Sequence, residues 1–156
     1  MRSHVDTYIS LDVGGTFTKS GLVTSDGRVL GTHVVESHRR GSREQILGDI
    51  TLASAPFKGE RVSGIGIGFP SFGDFESGIF LPVEPQFHSL NRFPLRQFLE
   101  EKIGTPARMT TDANIFALGV MVFGEGRQHQ SFVAITLGSG IGIGVVTNRQ
   151  VVEGEK

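Results

Sequence analysis

Two aspartates in this sequence stand where a carboxylate could do chemistry, Asp12 and Asp112. Asp12 ends a short apolar strand and is followed almost at once by Gly14, Gly15 and Thr16. Glycine N–H groups can approach phosphate oxygens closely, a threonine hydroxyl can join them, and the acid can hold a hydrated Mg²⁺. A tight hairpin with a capping aspartate would have the same residues. The motif alone leaves the two interpretations about even.

Asp112 lies at the junction of a predicted strand and a predicted helix, where its carboxylate would face the positive end of the helix dipole. The dipole favours the ionised form. In phosphoryl transfer, such a carboxylate orients an attacking hydroxyl and accepts its proton. A routine helix N-cap is the commoner role of an aspartate at such a junction, and position alone does not decide between the two.

A second glycine turn, Gly138-Ser139-Gly140, offers three N–H groups and a hydroxyl. The common nucleotide motifs are absent, because the sequence has no G-x-x-x-x-G-K and its spaced glycines never match G-x-G-x-x-G. What remains is a hairpin-type grip in which two glycine turns close on a polyphosphate from opposite sides. For the second turn alone, a glycine-rich β-turn is the simpler interpretation.

The elements that must position these residues follow from the apolar pattern. Ile9, Leu11 and Val13 alternate, which predicts a strand with Asp12 on its other face. Asp26-Gly27 predicts a hairpin between the next two strands. Further strands are predicted at 62–69, 78–81, 107–111, 132–137 and 141–147, with a hairpin at Asn148-Arg149.

Three helices are predicted between these strands. Ser42 to Gln45 has the form of a capping box that opens the first. Pro94 is expected at the first position of the second, which Gly104 ends. The third follows Thr111, with an apolar stripe that includes Ala113, Phe116 and Met121, and it stops near residue 124.

This order predicts an α/β fold with a mixed sheet and flanking helices. The hairpins near residues 14 and 139 resemble two copies of one structural motif. We therefore expect an N-terminal lobe over residues 1–125, and the first strands of a second, similar lobe over residues 126–156.

Composition excludes several classes of function. The 156 residues have a formal net charge of −1, so no basic field points to nucleic acid or to a membrane surface. Zero cysteines exclude disulfides and thiol chemistry within this sequence. No apolar run resembles a membrane span or a signal peptide, so a cytoplasmic location is the default expectation. The histidines are scattered, and Arg39, Arg40 and Arg43 are interpreted as a solvated loop.

Taken together and in order, these motifs resemble the ROK family (repressors, uncharacterised open reading frames and sugar kinases), which has the actin-like/hexokinase ATPase fold. The resemblance spans almost the whole chain. Five segments carry it: Asp12-Val-Gly-Gly-Thr16 with Lys19, Gly66 to Asp74, Pro85 to Leu95, Thr111-Asp112-Ala-Asn114 with Ala117-Leu118, and Thr136 to Gly144.

The resemblance implies an ATP- and Mg²⁺-dependent sugar kinase of the glucokinase type. Asp112 would be the base that deprotonates a hexose or amino-sugar hydroxyl, and Asp12 would lie near Mg²⁺. The ATP phosphates would be bound by residues of the two glycine turns and a lysine: Gly14, Gly15, Thr16, Lys19, Gly138, Ser139 and Gly140. The sugar would be bordered, beside Asp112, by Gly68, Pro70, Ser71, Gln86 and Thr111.

Four positions depart from the family pattern. Thr111 and Gln86 stand where asparagine is usual, and Ser71 and Ile143 stand where glycine is usual. A threonine offers no amide, so the hydrogen bonds to a sugar hydroxyl must differ. Sites built on specific polar contacts discriminate strongly, which leaves the identity of the sugar open.

The sequence stops about midway through the family pattern. The absent part would bring a glutamate and a histidine that bind the sugar, a cysteine zinc motif and the adenosine pocket. We therefore expect a fragment or separately produced N-terminal lobe that shows no kinase turnover by itself. A homodimer of the whole kinase is compatible with the resemblance.

Two other functions compete with the kinase. A sugar-sensing transcriptional regulator is disfavoured, since only eleven residues precede Asp12 and no DNA-binding domain fits there. A non-catalytic ROK protein stays open because of Thr111, Ser71 and Ile143. Retention of both Asp12 and Asp112 argues against it.

Overall fold

A computed structural model describes residues 5–71, 73–81, 86–138 and 140–153. The helices are α1 (Arg43–Ser54), α2 (Leu95–Ile103) and α3 (Asp112–Phe123). The strands are β1 (Thr7–Val13), β2 (Phe17–Thr24), β3 (Val29–Glu36), β4 (Gly64–Phe69), β5 (Gly73–Asp74), β6 (Ile79–Phe80), β7 (Ala107–Thr111), β8 (Phe132–Leu137), β9 (Ile141–Thr147) and β10 (Gln150–Val151).

The main sheet is five-stranded, in the order β3-β2-β1-β4-β7. β1, β4 and β7 run parallel, whereas β2 and β3 are antiparallel to their neighbours. The carboxyl ends of the three parallel strands therefore meet at one edge of the sheet. In that register Asp12 pairs with Gly68, and Gly68 pairs with Thr110.

The core lies on the face of this sheet away from Asp12. Ile9, Leu11 and Val13 are buried there, as the alternating pattern predicts, and α1 and α2 cover them. The predicted capping box at the start of α1 is confirmed: the N–H of Gln45 donates to Ser42 Oγ, and the N–H of Ser42 donates to Gln45 Oε1.

The smaller sheet has the order β10-β9-β8 and packs on α3. Helix and strand approach closely here. A Cβ added to Gly144 would lie 2.5 Å from the Ala113 carbonyl oxygen and 2.6 Å from Ala117 Cβ, so only glycine fits without a shift. α3 is thereby held between the two sheets. The division into two lobes at residue 125 stays a prediction.

Most predicted elements are confirmed within a few residues, but two details are wrong. Pro94 is the N-cap of α2 rather than its first helical residue. α3 begins directly after Thr111, as predicted, and Thr111 is its N-cap. Phe116 is 47% exposed instead of joining the apolar stripe, because α3 packs on the small sheet through Ala117 and Met121.

Among the described residues, no helix is long and apolar enough to cross a membrane.

Candidate active site

Asp12 and Asp112 open onto one cavity of about 560 Å³. It lies between the main sheet and α3, and Lys19, Gly68 and Thr136 also line it. A larger cavity of about 680 Å³, on whose wall neither aspartate lies, shares Ile115 with the first. The chemistry-bearing residues therefore belong to the smaller cavity, which we call the aspartate cleft.

The strand register explains why the two carboxylates meet. Asp12 is the penultimate residue of β1, and its neighbour Gly68 is the penultimate residue of β4. Gly68 has no side chain to separate Asp12 from α3: a Cβ there would lie 3.5 Å from Asp112 Cα and 3.2 Å from Ile115 Cδ1. A glycine at this strand end lets the start of α3 approach the sheet.

The capping role at the start of α3 belongs to Thr111, so the N-cap interpretation of Asp112 is wrong. The Thr111 hydroxyl accepts a hydrogen bond from the N–H of Asn114 at 3.2 Å. Asp112 is the first helical residue, and its Oδ1 accepts from the N–H of Ala113 at 2.7 Å. Its carboxylate is exposed to the cleft and stands at the positive end of the helix dipole.

Lys19 faces Asp12 across the β1–β2 pair, with Nζ 3.6 Å from Oδ2. Their side chains are 59% and 53% exposed. An ion pair this exposed stabilises the fold by no more than about 1 kcal/mol, so both charges can turn to a ligand at little cost.

The first glycine turn extends from the cleft wall. The Gly14 N–H donates to the Phe17 carbonyl at 3.0 Å, and a Cβ on Gly14 would lie 2.7 Å from that oxygen. The turn itself therefore requires Gly14. Gly15 is different, because a Cβ there would meet the side chains of Arg39 and Gln86. The Thr16 carbonyl accepts from the N–H of Ser37 at 2.9 Å.

The second glycine turn also extends from the cleft wall. Thr136 lines the cleft, and the turn begins two residues later, as the first turn begins two residues after Asp12. Gly138 and Gly140 are exposed, and a Cβ at either would meet no atom within 4 Å. Ser139 lies outside the described residues.

The residues predicted to border a sugar are only partly brought together. Gly68 and Asp112 line the cleft. Pro70 and Ser71 follow β4 at its rim, where the Ser71 N–H donates to the Phe69 carbonyl at 2.9 Å. Gln86 lies instead beside the first glycine turn, against Gly15. The roles of these residues stay predictions.

The interpretation of the arginines as solvated is wrong for Arg39, whereas Arg40 and Arg43 are exposed. Arg39 is half-buried against Gly15. The Arg43 Nε donates to the Ser89 carbonyl at 2.9 Å, and its guanidinium lies 5.2 Å over the Phe93 ring. The loop is short and polar, and nothing in its sequence distinguishes Arg39 from the exposed Arg40. Only the fold reveals that difference.

The carboxylate available in the cleft fits a Mg²⁺ ion that retains most of its water ligands. Mg²⁺ is commonly bound through one or two carboxylates plus substrate phosphates and water. Asp12 offers such a carboxylate, half-exposed beside the first glycine turn. Among the described residues no group of three histidine, aspartate or glutamate side chains could enclose a metal.

The main sheet is mixed, with two antiparallel and two parallel pairings. A glycine hairpin follows β1, and an aspartate stands at the start of the helix after β7. Together these features define the actin-like ATPase fold. The profile of the ROK family matches residues 8–156, and the chain belongs to that family. The resemblance found in the sequence motifs is confirmed.

Relatives of this chain include sugar kinases. It is 37% identical over 149 residues to a glucokinase of Thermotoga maritima, covering 94% of this chain and 46% of the relative. It is 28% identical over 145 residues to a beta-glucoside kinase of Listeria monocytogenes, covering 93% of this chain and 48% of the relative.

The fold is likewise that of a solved ROK structure. A ROK family glucokinase from Streptomyces griseus, in complex with glucose and AMPPNP, superposes with a TM-score of 0.86 at 31% identity. The match covers 96% of this chain and 47% of that one. The chain spans about half the length of the relatives it matches.

Proposed function

We propose that this chain supplies the phosphate turns and the general base of a ROK sugar kinase, which transfers the terminal phosphoryl group of ATP to a hydroxyl of a hexose or amino sugar. The observation that supports this proposal most is the common cleft of Asp12 and Asp112. A hairpin that only turned the chain would need neither carboxylate there. The names of the relatives, glucokinase and beta-glucoside kinase, support the same class of reaction.

Asp112 is the base in this proposal. Its carboxylate accepts the proton of the sugar hydroxyl as the hydroxyl oxygen forms a bond to the terminal phosphorus. The bond between that phosphorus and the β,γ-bridging oxygen breaks, and the bridging oxygen leaves with ADP. Since Thr111 provides the helix cap, Asp112 can take up and release a proton without the loss of that cap.

The phosphates of ATP are bound by main-chain N–H groups of the two glycine turns in this proposal. Gly15 and Thr16 provide one set and Ser139 and Gly140 the other, while Gly14 and Gly138, whose N–H groups already donate to the Phe17 and Gly140 carbonyls, shape the two turns. Lys19 adds a positive charge from β2. Bound Mg²⁺ supplies neutralisation of the phosphate charge, and Asp12 is the residue that would hold it through water.

The sugar site involves Gly68, Pro70, Ser71, Gln86 and Thr111 in the proposal. The Thr111 hydroxyl already accepts one hydrogen bond, so it can offer a sugar one donated bond and no amide. This supports a pattern of sugar contacts that differs from the usual asparagine. The sugar itself, a homodimer of the whole protein and zinc in its remainder are left to experiment.

The test is sugar-dependent release of ADP by the complete product of the gene that encodes this chain. A panel of glucose, mannose, N-acetylglucosamine, N-acetylmannosamine and a β-glucoside covers the sugar class. We expect turnover with at least one sugar, and none from the 156-residue chain alone. Ordinary rates from the chain alone would contradict the proposed division of the site.

A second candidate is a non-catalytic ROK protein that senses a sugar. The engagement of the Thr111 hydroxyl in capping favours it, since this removes part of the polar surface available for a reacting sugar. Calorimetry separates the two functions. Binding of a sugar by the complete protein with no release of ADP would support the sensor and contradict the kinase.

A further inference from the structure

Arg39 lies directly against the first glycine turn. A Cβ added to Gly15 would be 2.9 Å from Arg39 Nη1 and 3.3 Å from its Cδ, so the guanidinium stem covers that glycine. The same Cβ would be 3.2 Å from Gln86 Oε1. Arg39 and Gln86 thus both cover Gly15, between the proposed phosphate turn and the proposed sugar segment.

The main chain around Arg39 is fixed on three sides. The Arg39 carbonyl accepts from the N–H of Phe87 at 2.6 Å. Before it, the N–H of His38 donates to Asp49 Oδ2 at 2.7 Å, and the N–H of Ser37 donates to the Thr16 carbonyl at 2.9 Å. These bonds join the loop to α1, to the phosphate turn and to the segment that follows Gln86. The position of the Arg39 main chain beside the first glycine turn is therefore set by the fold.

The charge of Arg39 is not balanced by a carboxylate within the described ranges. Lys19 pairs with Asp12, Arg28 with Asp26 and His38 with Asp49, whereas Arg39 has no such partner there. A guanidinium stays protonated at any ordinary pH and forms paired hydrogen bonds to phosphate oxygens. A half-buried and uncompensated cation at a glycine turn is suited to binding an anion.

We propose that Arg39 binds the terminal phosphoryl group, from the side of the turn that faces Gln86. This inference rests on the proposed function. A hexose is neutral, so it offers no charge for the guanidinium. The α- and β-phosphates belong on the donor side, whereas Arg39 stands between donor turn and acceptor segment. The terminal phosphoryl group is the anion that passes between these two.

A contact to the terminal phosphate makes Arg39 a discriminator between ATP and ADP. ADP lacks that group, so the loss of Arg39 weakens ATP binding and leaves ADP binding nearly unchanged. A hydrogen bond between charged groups corresponds to about tenfold to a hundredfold in affinity. Lysine keeps the charge but loses the planar fork, so Arg39→Lys has an intermediate effect.

The experiment is a ¹⁵N NMR titration of the complete product of the gene that encodes this chain with MgATP and with MgADP, which detects even millimolar affinity. The variants are Arg39→Gln and Arg39→Lys, and Arg40→Gln is the matched control, since Arg40 carries the same charge one residue away on the exposed side of the loop. Peak dispersion shows that each variant is folded. We expect at least about tenfold weaker MgATP binding for Arg39→Gln and unchanged binding for Arg40→Gln.

Three results would overturn the inference. Equal MgATP affinities of Arg39→Gln and Arg40→Gln would show that Arg39 makes no specific contact. Equal losses for MgATP and MgADP would place Arg39 on the inner phosphates. Should Arg39→Gln fail to fold, a wild-type MgATP affinity in Arg39→Lys decides against the contact. A complete wild-type protein that binds neither nucleotide contradicts the proposed function as well, which distinguishes the two failures.

Discussion

The Thr111 hydroxyl accepts the N–H of Asn114 and so caps α3, one residue before Asp112. The N-cap role thus falls to Thr111, and the Asp112 carboxylate lies in the aspartate cleft, where its Oδ1 accepts only the N–H of the next residue, Ala113. At the start of α3, the hydrogen bond that caps the helix and the carboxylate proposed as the base belong to two adjacent side chains. Substitutions at each position can therefore test the two roles separately.

Asp112→Asn should abolish catalysis and leave the fold intact. The amide cannot accept the hydroxyl proton, and the loss of a general base lowers turnover by about 10²- to 10⁴-fold. Since Thr111 remains as the cap, the melting temperature should stay close to that of the wild type. Turnover of the complete protein and a thermal scan measure both.

The control for this substitution is Glu125→Gln, which removes one negative charge just beyond the other end of α3. It should keep both turnover and stability. Wild-type turnover in Asp112→Asn would exclude Asp112 as the base.

Thr111→Ala should destabilise the fold by about 1 kcal/mol, because the N–H of Asn114 loses its acceptor. Asparagine is at least as good an N-cap as threonine, so Thr111→Asn should keep the free energy of unfolding. Urea denaturation of the chain measures both variants. A Thr111→Ala chain as stable as wild type would show that the capping bond contributes nothing.

Gly68→Val should disturb the cleft, since the new side chain would push on Ile115 and on the main chain of Asp112. We expect a loss of about 1–3 kcal/mol in unfolding free energy and a large fall in turnover. Gly66→Ala is the matched control on the same face of β4, because a Cβ there meets no atom within 4 Å. Equal behaviour of the two variants would argue against close packing at Gly68.

The stability of the chain should fall in acid partly through Asp26. The hydroxyl of Thr24 donates to its carboxylate, and the Arg28 guanidinium lies beside it, so its pKa is held below the ordinary value of 3.8. A lowered pKa stabilises the fold above the ordinary value, and that contribution is lost as the pH falls through the folded pKa.

Asp26→Asn should therefore reduce the difference between the unfolding free energies measured at about pH 6 and about pH 2.5. Glu60→Gln, which removes another exposed carboxylate, is the control. If both variants keep the full wild-type difference, Asp26 has no share in the acid sensitivity.

The sequence predicted the parts of the site that depend on local pattern. Period-two alternation placed Asp12 opposite the buried face, and the motif order led to the ROK family, which the profile match confirms. Such signals survive in a single sequence because strand faces and turns are set by neighbouring residues.

The tertiary contacts could not be predicted from the sequence. The position of Arg39 over Gly15 depends on hydrogen bonds between segments far apart in the chain, and Arg40 next to it has the same chemistry. The exposure of Phe116 depends on which face of α3 meets the small sheet. Helical periodicity alone ranks both faces of an almost wholly apolar helix alike.

The central claim is that two glycine turns hold one polyphosphate. It is tested most directly by following main-chain amides in a ¹⁵N NMR titration of the complete protein with Mg-AMPPNP. We predict that Gly14, Gly15 and Thr16 shift together with Gly138 and Gly140, with one dissociation constant, while the remote Gly59 stays unchanged. Shifts in one turn only, or in neither, would contradict the account.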